Sequence, residues 1–103
     1  MSSRLGSMTK MASGEFRDRK FTYSYRIAKA AQNMLTVCLE QELGSKGIRV
    51  NAIHPGVLKS GRNTLDADLD AWKAAENIFA WIETVKADDS GQFLQPGVGK
   101  LPW

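Results

Sequence analysis

The sequence is poor in the residues from which many sites are built. It holds one cysteine, Cys38, and one histidine, His54. A lone cysteine excludes a disulfide within the chain, and one Cys with one His cannot make a metal cluster. No apolar run approaches the ~18 residues that a membrane helix needs. The start, Met1-Ser2-Ser3-Arg4-Leu5-Gly6, lacks the apolar stretch of a secretory signal. Together these absences suggest a cytoplasmic protein without a membrane partner. The excess of one charge sign is also small, a formal +3. Much of it lies between Arg17 and Lys20, with no aromatic-and-basic repeat around it. A solvated loop explains that run, and a nucleic-acid partner is not indicated. There is no internal repeat and no long low-complexity tract.

What is present is ordinary for a globular chain: 43% hydrophobic and 24% charged residues in 103. That length allows one domain with a modest core. Residues 9–23, with Gly14 and the charges of Glu15, Arg17, Asp18, Arg19 and Lys20, read as a loop. From about Ser24 to Leu43, apolar residues recur at three- and four-residue steps through Ile27, Ala31, Met34, Leu35, Cys38 and Leu39. This predicts a helix with that stripe turned inward and Cys38 as a buried structural thiol. Thr22 or Ser24 is its candidate N-cap, and Gly44 its C-cap. The β-branched run Ile48–His54, stopped by Pro55-Gly56, predicts a strand. A second helix is expected from about Asp66 to Lys86, with Leu69, Trp72, Ala75, Phe79 and Ile82 on one face. Gln92–Gln95 is a weak strand ended by Pro96-Gly97. The order helix, strand, helix, strand argues for an α/β fold with a parallel sheet. Two strands are too few for an independent parallel sheet, so the pattern reads as part of a larger fold.

Chemistry is concentrated at Tyr25-Arg26-Ile27-Ala28-Lys29. Tyr25 and Lys29 stand at i and i+4, on one helical face. An ammonium beside a phenol favours the phenolate, which suits a tyrosine to proton exchange with a substrate oxygen. Taken alone, the pair is better explained by two exposed surface residues. Tyr23 has Ile27 at its i+4 position and so lacks the same partner. His54 reads as a strand-end residue with a satisfied hydrogen bond, and Trp72, Phe79 and Trp81 as core.

Three segments in order carry more weight than the pair: Ser2-Ser3-Arg4-Leu5-Gly6, then Tyr25-x-x-x-Lys29 opening a helix, then Ile48-Arg49-Val50-Asn51 leading to Pro55-Gly56. This arrangement resembles the short-chain dehydrogenase/reductase family over nearly the whole chain. The long interval before Tyr25, the Ile53-His54-Pro55-Gly56 strand end and the Leu101-Pro102-Trp103 terminus resemble its C-factor-like, carbonyl-reductase-like branch. The resemblance implies the C-terminal part of a Rossmann-type, doubly wound parallel sheet, with residues 1–103 as a partial catalytic domain. It implies hydride transfer between NADP or NAD and a small carbonyl or alcohol. Ser3 would hydrogen-bond the reacting oxygen, Tyr25 would be the general acid or base, and Lys29 would hold the nicotinamide ribose. Pro55 and Gly56 would lie against the nicotinamide, where open α/β sheets place their ligands. Ser60 stands where the family commonly has a threonine near the carboxamide. The interval from Ser3 to Tyr25 is longer than in most of the family, and Ser13 lies nearer the common spacing. Ser3 is preferred because its neighbours match the segment that carries the serine.

The Gly-rich turn that cradles a dinucleotide pyrophosphate is absent from the sequence, as is the residue that selects between the two cofactors. The family's upstream asparagine is also absent. The expectation is therefore a truncated catalytic half. A homo-oligomer through the helix 24–43 is the implied protein partner. The alternative is a non-catalytic remnant that acts only as an interaction module.

Overall fold

Two serines begin the first two elements. The Ser3 hydroxyl accepts a hydrogen bond from the Leu5 N–H at 3.2 Å and opens the 3-10 turn Arg4–Gly6. The Ser7 hydroxyl accepts from the Lys10 N–H at 3.1 Å and opens helix α1, Met8–Ala12. Each side chain satisfies one of the orphan donors of a helix start. The sequence placed residues 9–23 in a loop. The Ser7 cap is what turns part of that stretch into a helix. The computed structural model of the chain describes residues 1–18, 22–57 and 69–103. Ser60 lies outside the described residues.

Helix α2, Tyr23–Leu43, matches the expected element closely. Thr22 is its N-cap without a side-chain bond, and Gly44 continues in a right-handed conformation into a 3-10 turn, Gly44–Lys46. The left-handed stop falls instead at Gly47, with φ of 78°. The orientation of α2 overturns the expected burial. Its buried residues are Arg26, Asn33 and Thr36. Ile27, Met34 and Leu35 are 66%, 64% and 55% exposed, and Cys38 is exposed with them. The apolar stripe faces outward, so Cys38 is not a buried thiol among the described residues.

Strand β1, Ala52–Ile53, is shorter than the expected Ile48–His54. Ahead of it, Val50 N–H donates to the Ser90 hydroxyl at 3.0 Å and Asn51 Nδ2 to the Asp89 carbonyl at 2.8 Å. Loop groups thus take bonds that a strand would give to a neighbour. Helix α3, Ala71–Thr84, starts on Asp70, whose carboxylate accepts from Lys73 N–H at 2.7 Å. Of its expected inward face, Trp72, Phe79 and Ile82 are 80%, 67% and 53% exposed, and the residue buried instead is Ala74, which was not on that face.

Strands β2, Phe93–Gln95, and β3, Gly99–Lys100, complete a sheet of order β1-β2-β3. The β1–β2 pair is parallel, as expected, with Ala52 opposite Phe93. The β2–β3 pair is antiparallel, which the sequence reading did not foresee. Pro96 and Gly97, with φ of 82° at Gly97, close the intervening turn, and Val98 N–H donates to Gln95 C=O at 3.0 Å. Pro fixes the first corner of such a turn and Gly supplies the positive φ of the second. The core gathers on Ala52, Phe93 and Leu94, with Phe93 stacked on Trp103 at 5.5 Å between ring centroids. No helix among the described residues is long and apolar enough to cross a membrane.

Candidate active site

The site forms where three segments meet: the turn after Ser3, the first half of α2, and the end of β1. Ser2 N–H donates to Ile53 C=O at 2.6 Å, which places the Ser2-Ser3 segment at the outer edge of β1. Ser3 is 7% exposed. Its oxygen accepts from Leu5 N–H, which leaves the hydroxyl hydrogen to be donated. Ser13, the other candidate, is exposed at the end of α1 and donates to the Lys10 carbonyl at 2.8 Å.

The Lys29 Nζ lies 5.7 Å from the Tyr25 ring centroid, so the i, i+4 pair shares a face. It also donates to the Met1 carbonyl and to Gln32 Oε1, both at 3.2 Å. Lys29 therefore reaches the segment that is bonded to β1. Tyr25 is 46% exposed, open to an approaching molecule. Arg26, between the two, turns the other way. Its guanidinium donates to the Met11 sulfur and stands 5.9 Å from the centroid of Phe16, with Arg4 at 5.6 Å from the same ring. Phe16, 4% exposed, thereby fixes part of the charged stretch that reads as a free loop.

Past β1, His54 N–H donates to Leu94 C=O at 2.9 Å and the side chain is buried. The chain then leaves the sheet through Pro55 and Gly56. Gly56 has φ of 98°, and a Cβ there would come within 2.6 Å of Leu69 Cδ1. The positive φ favours glycine at this corner, while the end of the Leu69 side chain could shift to make room. Gly6 is constrained by space instead: a Cβ would lie 2.7 Å from the Lys29 carbonyl carbon, which is backbone. The turn after Ser3 thus packs directly on the backbone of Lys29.

Two residues of this junction escape the motif reading. The Ser2 hydroxyl donates to Asn33 Oδ1 at 2.5 Å, and Asn33 Nδ2 donates to the Gly6 carbonyl at 3.2 Å. The available signal was positional: Asn33 is one helical turn beyond Lys29, on the same face. Ser7 is fully buried and donates to the Pro102 carbonyl at 2.8 Å, tying the C-terminal strap to the start of α1.

Comparison with known proteins agrees with this architecture. The family model described as enoyl-(acyl carrier protein) reductase, of the short-chain dehydrogenase/reductase type, matches residues 1–92. The chain belongs to the short-chain dehydrogenase/reductase family. It is similar to the C-signal of Myxococcus xanthus, with 27% identity over 103 residues, all of this chain and 58% of that protein. Its fold is similar to that of the carbonyl reductase Sniffer of D. melanogaster, with a TM-score of 0.85 and 28% identity over 100% of this chain and 39% of that one. The NADPH-bound carbonyl reductase from chicken fatty liver gives a TM-score of 0.85 and 28% identity over 99% of this chain and 40% of that one. The chain thus spans between about two-fifths and three-fifths of the length of these relatives.

Proposed function

We propose that this chain carries the proton-transfer half of a nicotinamide-dependent active site that reduces a small carbonyl compound to an alcohol, or runs the reverse. The observation that supports this reading is that Lys29, which shares a helical face with Tyr25, bonds the Met1 carbonyl and packs on Gly6, on either side of Ser3 in a segment joined to β1 through Ser2. The Ser3 hydroxyl hydrogen points the carbonyl oxygen toward the phenol. The Tyr25 O–H gives its proton to that oxygen as the carbon is reduced, and takes it back in the oxidation. The Lys29 ammonium stabilises the phenolate that remains. A nicotinamide cofactor supplies or accepts the hydride when bound. The residues present fit its nicotinamide end: Lys29, a partly exposed donor, would hold the ribose, with Pro55 and Gly56 against the ring. Ser60 is assigned to the carboxamide on the resemblance alone. The chain has no Gly-rich helix start to hold a pyrophosphate, so residues 1–103 are read as a partial catalytic domain. NADPH is the cofactor favoured, since a carbonyl reductase of similar fold binds it.

The test is Tyr25→Phe in a protein where a dinucleotide-binding half precedes this segment. Turnover is expected to fall at least ~10²-fold, the usual loss for an acid–base group, with cofactor affinity little changed. Near-full activity would remove Tyr25 from the acid role. Lys29→Ala should weaken both turnover and cofactor binding.

A second reading is favoured by the outward stripe of α2: that the chain works as an interaction module, for example by pairing through this helix. One relative is named a signal rather than an enzyme. Loss of self-association on charging the stripe, in a protein without turnover, would support it.

A further inference from the structure

We propose that Asn33 is a positioning residue for this site: it holds the Ser3 turn against the face of α2 that carries Tyr25 and Lys29. The proposal rests on the catalytic reading above. Asn33 is 5% exposed in a helix whose outward face is apolar. Its two amide functions are used on opposite flanks of Ser3, one on the Ser2 hydroxyl and one on the Gly6 carbonyl. The orientation of the amide is fixed by chemistry. A carbonyl only accepts, so Nδ2 must face Gly6, and Oδ1 is left for the Ser2 O–H. Ser2 also reaches β1 through its N–H, so one side chain joins the turn, the helix and the strand.

Gly6 brings its backbone onto Lys29 because it has no side chain, but contact alone does not set the register of the turn along the helix. The paired bonds of Asn33 do. Without them, a buried hydroxyl and a buried carbonyl are left without that partner, and the turn gains by moving toward water. Ser3 moves with it, away from the oxygen that Tyr25 must serve. A displacement of this kind, outside the reacting atoms, is enough to cost catalysis heavily.

Hydrogen exchange followed by mass spectrometry on the full chain reads the clamp without needing activity. In Asn33→Ala, amides of residues 3–7 should exchange at least about tenfold faster, the rate expected when ~1.4 kcal/mol of local closure is lost, while the later turns of α2 stay protected. Asn33→Asp keeps the acceptor for Ser2 but loses the donor for Gly6. It should show the same effect, smaller, and it decides the matter if Asn33→Ala does not fold. In the protein completed by a dinucleotide-binding half, Asn33→Ala should lower kcat about ten- to a hundredfold with the KM for NADPH unchanged. Equal exchange at residues 3–7 in both variants, or loss of protection along all of α2, would overturn the positioning role. An inactive Tyr25→Phe beside unchanged exchange in the Asn33 variants overturns that role alone. A fully active Tyr25→Phe overturns the catalytic reading, and the positioning role with it.

Discussion

The inner and outer faces of α2 are made of opposite materials to what a free-standing helix would use. Inward it presents Arg26, Asn33 and Thr36, all buried, with Asn33 bonded to the Ser3 turn and Arg26 set against Met11 and Phe16. Outward it presents Ile27, Met34, Leu35 and Cys38. The inner seam is polar and paired, and it fixes geometry. The outer face is apolar and uncovered among the described residues, as are Trp72, Phe79 and Ile82 on α3. Polar burial is retained where it is hydrogen-bonded, and large apolar patches mark surfaces made to be covered. In relatives of which this chain spans as little as 39%, there is ample further chain to provide that cover. The difference teaches that the seam is internally satisfied, while the outer faces are apolar surface uncovered among the described residues.

If the seam is the internally satisfied part, breaking it should cost most. Gly6→Ala places a Cβ 2.7 Å from backbone of Lys29, which cannot yield as a side chain would. A loss of about 1–3 kcal/mol is expected, the range for overpacking, measurable by urea unfolding. Next comes the strap. Trp103 stacks on Phe93, and its carbonyl accepts from Thr9 N–H at 2.9 Å. Trp103→Ala should lose about 1 kcal/mol, the scale of an aromatic pair, in the same measurement. The outer face should behave in the opposite way. Met34→Lys with Leu35→Lys is expected to change stability by no more than about 0.5 kcal/mol. Sedimentation should show less self-association than in the unaltered chain. A large loss of stability there would mean that the stripe is covered within the chain.

The smallest effect is expected far from both faces. The Asp89 carboxyl is held below its ordinary pKa, first by the Lys86 N–H that it accepts at 2.9 Å, then by Gln92 and the Lys100 and Lys86 charges. A depressed folded-state pKa contributes stability above the unfolded value and loses it as pH falls through the folded one. Asp89→Asn should therefore lower stability slightly at neutral pH, leave it unchanged below the folded-state pKa, and so flatten the acid limb.

Much of this was legible from residue spacing, and the failures have one cause. The limits of α2, the parallel β1–β2 pair and the shared face of Tyr25 and Lys29 follow from local pattern, which needs no knowledge of neighbours. The facing of α2 does not. Periodicity finds an apolar stripe and assigns it to the core, but it does not say which neighbour, if any, covers that stripe. Cys38 was misplaced for that reason. The Ser7 cap, the burial of Phe16 and the Asn33 clamp depend on contacts between distant segments, which no spacing rule reports. The shortening of β1 has the same origin, since Ser90 and Asp89 compete for its bonds from the far side of α3.

The central claim is that the seam is half of an active site and works only when the outer faces are covered. The direct measurement is a titration with NADPH, followed by cofactor fluorescence and then by turnover of an aldehyde. It is made on residues 1–103 alone and on the same residues preceded by a dinucleotide-binding half. The account predicts no saturable binding and no turnover for the first, and both for the second. Saturable binding in the low micromolar range with aldehyde turnover by residues 1–103 alone would contradict it.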